Sequence, residues 1–215
     1  MLILASASPR RRELLAQIGY RFEIRPAQIP EDPRPGELPE DYVKRLAREK
    51  AEVVFHDASR NAPHVLADDS DVLAGNSEQA DPSLTVLGAD TTVTLDGAIL
   101  GKPANAADAA RMLRRLSGRT HRVITGVAVV TADETKVAAE VTKVQFLAMS
   151  EAEIAAYIAT GEPMDKAGAY GIQGRAARWI PRVEGCYFNV MGLPLARVCA
   201  MLGPGADSDR LNLHR

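Results

Sequence analysis

Asp90 is the residue whose placement points most directly to chemistry. It interrupts Gly88-Ala89-Asp90-Thr91-Thr92, a stretch otherwise apolar or hydroxylic and strand-like. An aspartate there has poor propensity and costs desolvation unless a metal, a hydrogen-bond donor or a substrate compensates it. A structural aspartate bonded to neighbouring N–H groups is the alternative. A second signal is Ser6-Ala7-Ser8-Pro9-Arg10-Arg11, between an apolar strand and a helix start. Exposed N–H groups and the positive end of the helix dipole favour an anion there. Arg10 and Arg11 oppose that dipole, so a phosphate partner would account for them; arginines on a solvated face are the other reading. No GxxxxGK[ST] occurs, so this is not a Walker loop.

Lys50 falls in the stripe 43, 46, 47, 50, 51 and 54, on or beside the buried side of its helix. A lysine so placed either snorkels outward or meets a charged partner. Lys102, in Gly101-Lys102-Pro103, could return positive charge to the neighbourhood of Asp90. Glu31, in Ile29-Pro30-Glu31-Asp32-Pro33, could add a second carboxylate. In residues 165–174, Gly168, Gly171 and Gly174 let backbone approach a ligand, and Gln173 stands among them. Its amide offers a donor beside an acceptor, which suits the imide edge of uracil or thymine.

Other combinations carry less. Asp68, Asp69 and Asp71 lack the glycine and terminal glutamate of a calcium loop. His56, His64, His121 and His214 have no ligand spacing, and each reads as solvated or structurally bonded. Ser8 has no evident His and acid partners for a triad. The cysteines, Cys186 and Cys199, form no CxxC, which fits a reduced compartment. With 26 basic against 28 acidic residues in 215, a net charge of -2, no general cationic field exists for nucleic acid. Neither a signal-peptide core nor an apolar run long enough to span a bilayer is present, so no membrane partner and a cytoplasmic chain are expected.

The elements that must position these residues alternate between strand and helix, an α/β pattern with 46% hydrophobic residues to fill a core. Strands are expected at 2–5, 85–89, 91–95 and 98–100, the last joined through an Asp96-Gly97 hairpin turn. Further strands are expected at 121–131, 136–147, 178–180 and 187–190. Helices are expected at about 9–18, 39–55, 106–116, 151–160 and 194–202, with Ser8 as an N-cap and Ser150 with Glu153 as a capping box. Residues 57–84 read as an acidic loop, and 203–215 as a flexible tail after a single domain over 1–202.

Taken together, the motifs around Ser8-Pro9-Arg10-Arg11, Leu46-Ala47-Arg48-Glu49-Lys50-Ala51, Gly88-Ala89-Asp90-Thr91, Gly101-Lys102-Pro103, Ser117-Gly118, Thr125-Gly126-Val127, residues 165–174 and Gly192-Leu193-Pro194 resemble the Maf family of nucleotide pyrophosphatases. The resemblance implies an elongated mixed β-sheet with flanking helices in two lobes around a nucleotide cleft, similar to the inosine triphosphate pyrophosphatase fold. It implies hydrolysis of a nucleoside triphosphate to monophosphate and pyrophosphate with a divalent metal, Mg²⁺ or Mn²⁺, and a homodimer. Pro9-Arg10-Arg11, Asp90-Thr91 and Gly171-Ile172-Gln173-Gly174 are similar to the branch acting on dTTP and UTP. The 7-methyl-GTP branch carries Trp where Arg10 stands. By the same resemblance Asp90 is the proton acceptor and, with Glu31, a metal ligand. Arg10, Thr91 and Gln173 bear on substrate choice, and Ser8, Arg11, Glu31, Lys50 and Lys102 belong to the pocket. The alternative is a non-catalytic nucleotide-binding regulator of cell division, a septum formation inhibitor. The acidic stretch before Thr85 is longer than the family's, and Tyr187-Phe188-Asn189-Val190 matches its motif only loosely.

Overall fold

The computed structural model describes residues 1–60 and 83–203. Among these, seven strands form one mixed sheet: β1 (Leu2–Leu4), β2 (Glu23–Ile24), β3 (Thr85–Leu95), β4 (Ala98–Leu100), β5 (Thr120–Val130), β6 (Thr135–Gln145) and β7 (Arg182–Glu184). The order is β2-β1-β3-β5-β6-β7, with β4 also on β3. β1 runs parallel to β2 and β3, and the remaining pairs are antiparallel. The flanking helices are α1 (Pro9–Gln17), α2 (Pro39–Arg60), α3 (Ala106–Leu116), α4 (Glu151–Ile158), α5 (Tyr187–Met191) and α6 (Leu195–Leu202).

The strand register creates an opening. β1 covers the edge of β3 at Thr85, Val86 and Leu87, and β4 covers it at Val93, Thr94 and Leu95. β5 occupies the other edge from Val86 to Thr94. Residues 88–92, with Asp90 at their centre, therefore present an edge that no strand pairs.

Alternation of side chains gives the long strands two apolar faces. Ile3, Val86, Ala128 and Val130 meet Ala47, Ala51 and Val54 of α2. On the reverse face Leu4, Leu87, Ala89, Val127 and Val129 meet α1 through Leu14 and Leu15, and α6 through Leu195 and Val198. A further apolar cluster at the far end joins Val93, Leu95 and Val123 to Leu113 and Leu116 of α3 and Ile154 and Tyr157 of α4. The cleft opens between the two ends, at the gap along β3.

Two glycines let α2 lie directly on the sheet. A Cβ on Gly88 would stand 2.1 Å from the Ala47 carbonyl oxygen, and one on Gly126 would stand 2.2 Å from that of Val43. Backbone cannot yield as a side-chain tip can. Gly88→Ala or Gly126→Ala is expected to lift the helix off the sheet and destabilise the protein by about 3 kcal/mol. Thermal denaturation measures this, and a melting temperature equal to that of the parent would contradict the seating.

Several expected elements differ. Strands at 85–89 and 91–95 are one continuous strand, because Asp90 keeps its place in the ladder opposite Gly126. α2 continues to Arg60, so residues 57–60 are helix and not the start of an acidic loop. The rest of that stretch up to residue 82, and the tail from 204, lie outside the described residues. The strand expected at 178–180 is the end of a 3-10 turn, Arg175–Trp179, that buries Ala176 and Trp179; the strand comes later, at β7, where Val183 pairs with Val144. Residues 187–190 are helical, in α5. Asn189 there donates to the Val123 carbonyl and to Thr142 Oγ1 at 3.0 and 2.9 Å, contacts that an extended chain pattern does not anticipate. β2 was not expected at all.

His121 is structural, bonded through Nε2 to Tyr170 Oη at 2.8 Å and packed edge-on against Phe146. Burial pushes its pKa from 6.5 down to about 4. Between those values the unfolded chain binds a proton that the folded protein refuses. Stability is therefore complete above 6.5 and falls as pH drops toward 4, by about 3 kcal/mol in all. Urea unfolding at pH 7 and 4.5 will reveal the loss, and His121→Gln should flatten it.

Candidate active site

The site is assembled along the unpaired edge of β3. After β1 the chain turns through Ser6, whose Oγ accepts from Ser8 N at 3.2 Å, and Ser8 caps α1 by accepting from Arg11 N at 3.5 Å. The cap sets Arg11 one turn into the helix, aimed at the gap. Its Nη1 donates to the Ala89 carbonyl at 2.8 Å, which a neighbouring strand would otherwise satisfy, and to Ser6 Oγ at 3.2 Å. Nε donates to the Gly192 carbonyl at 2.8 Å, and Nη2 to Thr91 Oγ1 at 2.9 Å. Four of the five guanidinium N–H groups are thus engaged within the protein. Burial pulls the Arg11 pKa down from its usual value, against the opposing charges of Asp90 and Glu31.

The Thr91 hydroxyl is almost fully engaged as well. Thr125 Oγ1 donates its one proton to the Asn189 carbonyl at 2.9 Å, so in the 3.0 Å contact between the two threonines Thr91 must be the donor. With Arg11 also donating to it, Thr91 Oγ1 retains one lone pair.

Lys50 reaches the site because Gly88 and Gly126 seat α2 against the sheet. Its Nζ lies 2.7 Å from Asp90 Oδ1 and 2.6 Å from Glu31 Oε1, so the lysine meets charged partners and does not snorkel. Lys50 and Asp90 are both buried. Among the described residues the hydrogen bond to the Asp90 carboxylate comes from Lys50 and not from a neighbouring backbone N–H. Burial raises the Asp90 pKa, and the nearby Lys50 and Arg11 charges only partly offset that. For Glu31, whose side chain is half exposed, burial also pushes upward, but the Lys50 hydrogen bond and the charges of Lys50, Lys102 and Arg11 hold the carboxyl below its ordinary range.

The Glu31 loop has its own supports, which sequence reasoning missed. Tyr42 Oη donates to the Glu31 carbonyl at 2.8 Å. Arg45, also on α2, grips Glu37 through Nε and Nη2 at 2.6 and 2.7 Å, Glu49 through Nη1 at 3.1 Å, and the Asp32 carbonyl at 3.2 Å. The available signal was a second charged residue beside the apolar stripe, four residues before Glu49. Ser6 and Gly192 were likewise missed as Arg11 partners; a carbonyl acceptor leaves no mark on residue type.

Across the cleft stand Arg10 in the first turn of α1, Lys102 after β4, and Gln173. Among the described residues none of these three side chains makes a hydrogen bond or ion pair, although the Arg10 charge acts on Asp165 and that of Lys102 on Glu31. Gln173 is exposed in a turn closed by Gly174 N donating to the Gly171 carbonyl at 3.1 Å. Ser8, Arg10, Arg11, Glu31, Lys50, Asp90, Thr91, Lys102 and Gln173 all line one cavity of about 700 Å³. The cavity thus joins a buried carboxylate and ammonium to two cations, Arg10 and Lys102, that make no hydrogen bond or ion pair among the described residues, an arrangement able to receive a polyanion beside a proton acceptor.

Residues 1–204 match the family model described as "Maf-like protein". A dTTP/UTP pyrophosphatase of Ralstonia nicotianae is 49% identical over 212 residues, covering 95% of this chain and 94% of that protein. A dTTP/UTP pyrophosphatase of Koribacter versatilis is 49% identical over 201 residues, covering 94% and 92%. Among solved structures, the Staphylococcus aureus Ham1 protein aligns over 94% of this chain and 97% of its own at 13% identity, with a TM-score of 0.48.

Proposed function

The chain belongs to the Maf-like protein family, and on that premise we propose that it hydrolyses dTTP and UTP to the nucleoside monophosphate and pyrophosphate. The observation that carries the reading is Lys50 Nζ held between Asp90 and Glu31 at 2.7 and 2.6 Å, in the cleft that also holds Arg10, Lys102 and Gln173. The names of the relatives support the substrate pair.

Among the described residues no three His, Cys, Asp or Glu side chains cluster as a metal cage. Asp90 and Glu31 nevertheless flank Lys50 Nζ through one oxygen each, and the other oxygen of each carboxylate makes no hydrogen bond or ion pair among the described residues. A divalent cation of the Mg²⁺ type is commonly held by one or two carboxylates together with substrate phosphates and water, so this donor pair fits it. When bound, such an ion would neutralise phosphate charge and polarise the phosphorus under attack.

The chain's own groups divide the work. Arg10 and Lys102, which make no hydrogen bond or ion pair among the described residues, bind the β- and γ-phosphates. Arg11 has at most one N–H to offer and acts chiefly as fixed positive charge that also orders the β3 edge. Lys50 holds Asp90 through Oδ1, leaving Oδ2 to take the proton from a water. The water oxygen forms a bond to the α-phosphorus in line with the bond to the α–β bridging oxygen, which breaks. That oxygen leaves with pyrophosphate, its charge received by the cations on the wall. Gln173 reads the imide edge of the base, and Thr91 acts on substrate choice through the Arg11 guanidinium it fixes.

The test is incubation of purified protein with dTTP and UTP, with Mg²⁺ or Mn²⁺, scoring pyrophosphate and monophosphate separately. Release of inorganic phosphate with a nucleoside diphosphate would overturn the reaction, and binding without turnover would favour the regulator. The homodimer implied by the family is part of this reading and is tested by light scattering on the eluted protein. Among the described residues no helix is long and apolar enough to cross a membrane.

A further inference from the structure

Gln173 can select a base only if the backbone beneath it is held still, and the turn that carries it is tethered at both ends by two residues outside the cleft. Gly171 N donates to Tyr157 Oη at 3.2 Å, and Tyr157 Oη donates to Glu162 Oε1 at 2.8 Å. Glu162 Oε2 in turn accepts from Arg175 N at 3.0 Å. The hydroxyl and the carboxylate thus bracket residues 171–175, inside which the Gly171–Gly174 hydrogen bond closes the turn. Contact is close enough that a Cβ on Gly174 would stand only 1.9 Å from Glu162 Oε1. Neither Tyr157 nor Glu162 lines the cavity.

Both bracketing residues are anchored from behind. Tyr157 is buried on α4, whose first turn is fixed by the Ser150–Glu153 capping box, and its ring meets Trp179 edge-on at 5.5 Å. Trp179 Nε1 donates to Glu153 Oε1 at 3.2 Å. The Glu162 backbone carbonyl accepts from Lys166 Nζ at 2.9 Å. The two side-chain tethers at the ends of the turn are therefore made to groups that are themselves held, while among the described residues the Gln173 amide has no hydrogen-bond partner.

We propose that Tyr157 and Glu162 are positioning residues that clamp the 171–175 turn and thereby set the preference for a uracil or thymine base over cytosine. The proposal rests on the reading of the cleft as a dTTP/UTP site. Uracil and cytosine are nearly the same shape and differ in which ring atoms donate and accept. Discrimination requires a fixed donor–acceptor pair; one that drifts with its turn accommodates either base.

The experiment compares kcat and KM for UTP and CTP, with Mg²⁺ present, in the parent protein, Tyr157→Phe and Glu162→Met. Phenylalanine removes both bonds of the hydroxyl. Methionine keeps the length of the Glu162 side chain without its carboxylate, so the contacts to Tyr157 and to Arg175 N are both lost. The expected result is a rise of about tenfold in KM for UTP, with kcat within about twofold and little change for CTP, so that the UTP-to-CTP ratio of kcat/KM falls about tenfold. Amide hydrogen exchange at Gly171 and Arg175 should quicken while that of the β3–β5 ladder stays the same. Variants that keep the parent's ratio overturn the clamp alone. A parallel fall in kcat for both nucleotides would show a merely structural role and also overturn it. A parent protein without preference for UTP would sink the base assignment together with the clamp. If Tyr157→Phe does not fold, Glu162→Met decides the matter by the same ratio.

Discussion

Asp90→Asn is expected to lower kcat for dTTP and UTP by about a thousandfold, the scale of a lost general base, while the protein melts no lower than its parent. Asparagine keeps the shape and still accepts from Lys50, but it cannot take a proton. The stability half follows from burial, which holds the Asp90 carboxyl above its ordinary pKa even with Lys50 and Arg11 nearby. A carboxyl raised in this way supports the fold below its unfolded pKa of 3.8, and that support is lost as pH rises through the folded value. At neutral pH the ionised group is therefore a cost, removed by the amide, as at other sites where function is kept at the expense of stability. Turnover in the parent should fall on the acid side with an apparent pKa above 3.8. Undiminished turnover in Asp90→Asn would place the base elsewhere.

Lys50→Met is expected to be the more damaging change, because it removes activity and stability together. The ammonium is the shared partner of Asp90 and Glu31. Without it a buried carboxylate faces a second carboxylate with no cation between them, and breaking a buried pair of this kind costs about 3 kcal/mol. The Asp90 pKa should climb further, so the acid limb of any residual activity moves to higher pH. Asp90→Asn introduced into the Lys50→Met protein removes the stranded charge and should restore much of the lost stability without restoring turnover. Urea denaturation of the two single variants and the double variant measures that coupling. Additive effects would mean that Lys50 stabilises the fold by something other than its charge on Asp90.

The features legible in the chain alone were local. The Ser8 cap, the Ser150–Glu153 capping box and the Asp96-Gly97 turn all act between residues close in the chain, and each is found where its pattern placed it; strand and helix periodicity located the long elements but not the short ones at 178–180 and 187–190. Asp90 was conspicuous for a related reason: a charge inside an apolar strand stands out without knowledge of any partner. The nine residues that the motif set marked are brought by the fold to one cavity, among other lining residues.

Packing settled what those residues touch. Lys50 could have snorkelled; it meets Asp90 because two glycines on neighbouring strands let the helix backbone approach the sheet, a contact between segments about 40 and 80 residues apart along the chain. Arg11 reads in sequence as a free phosphate ligand, yet in the fold it fills the gap left where β1 ends and β4 has not begun, bonding carbonyls that no residue letter advertises. Residues 187–190 carry a strand-like pattern and fold as a helix because Asn189 is drawn to β5 and β6. Tyr157 and Glu162 were invisible for the same physical reason. Hydrogen bonds to backbone depend on where the chain passes and not on which side chain it bears, so the supports of a site emerge only when the whole chain is packed.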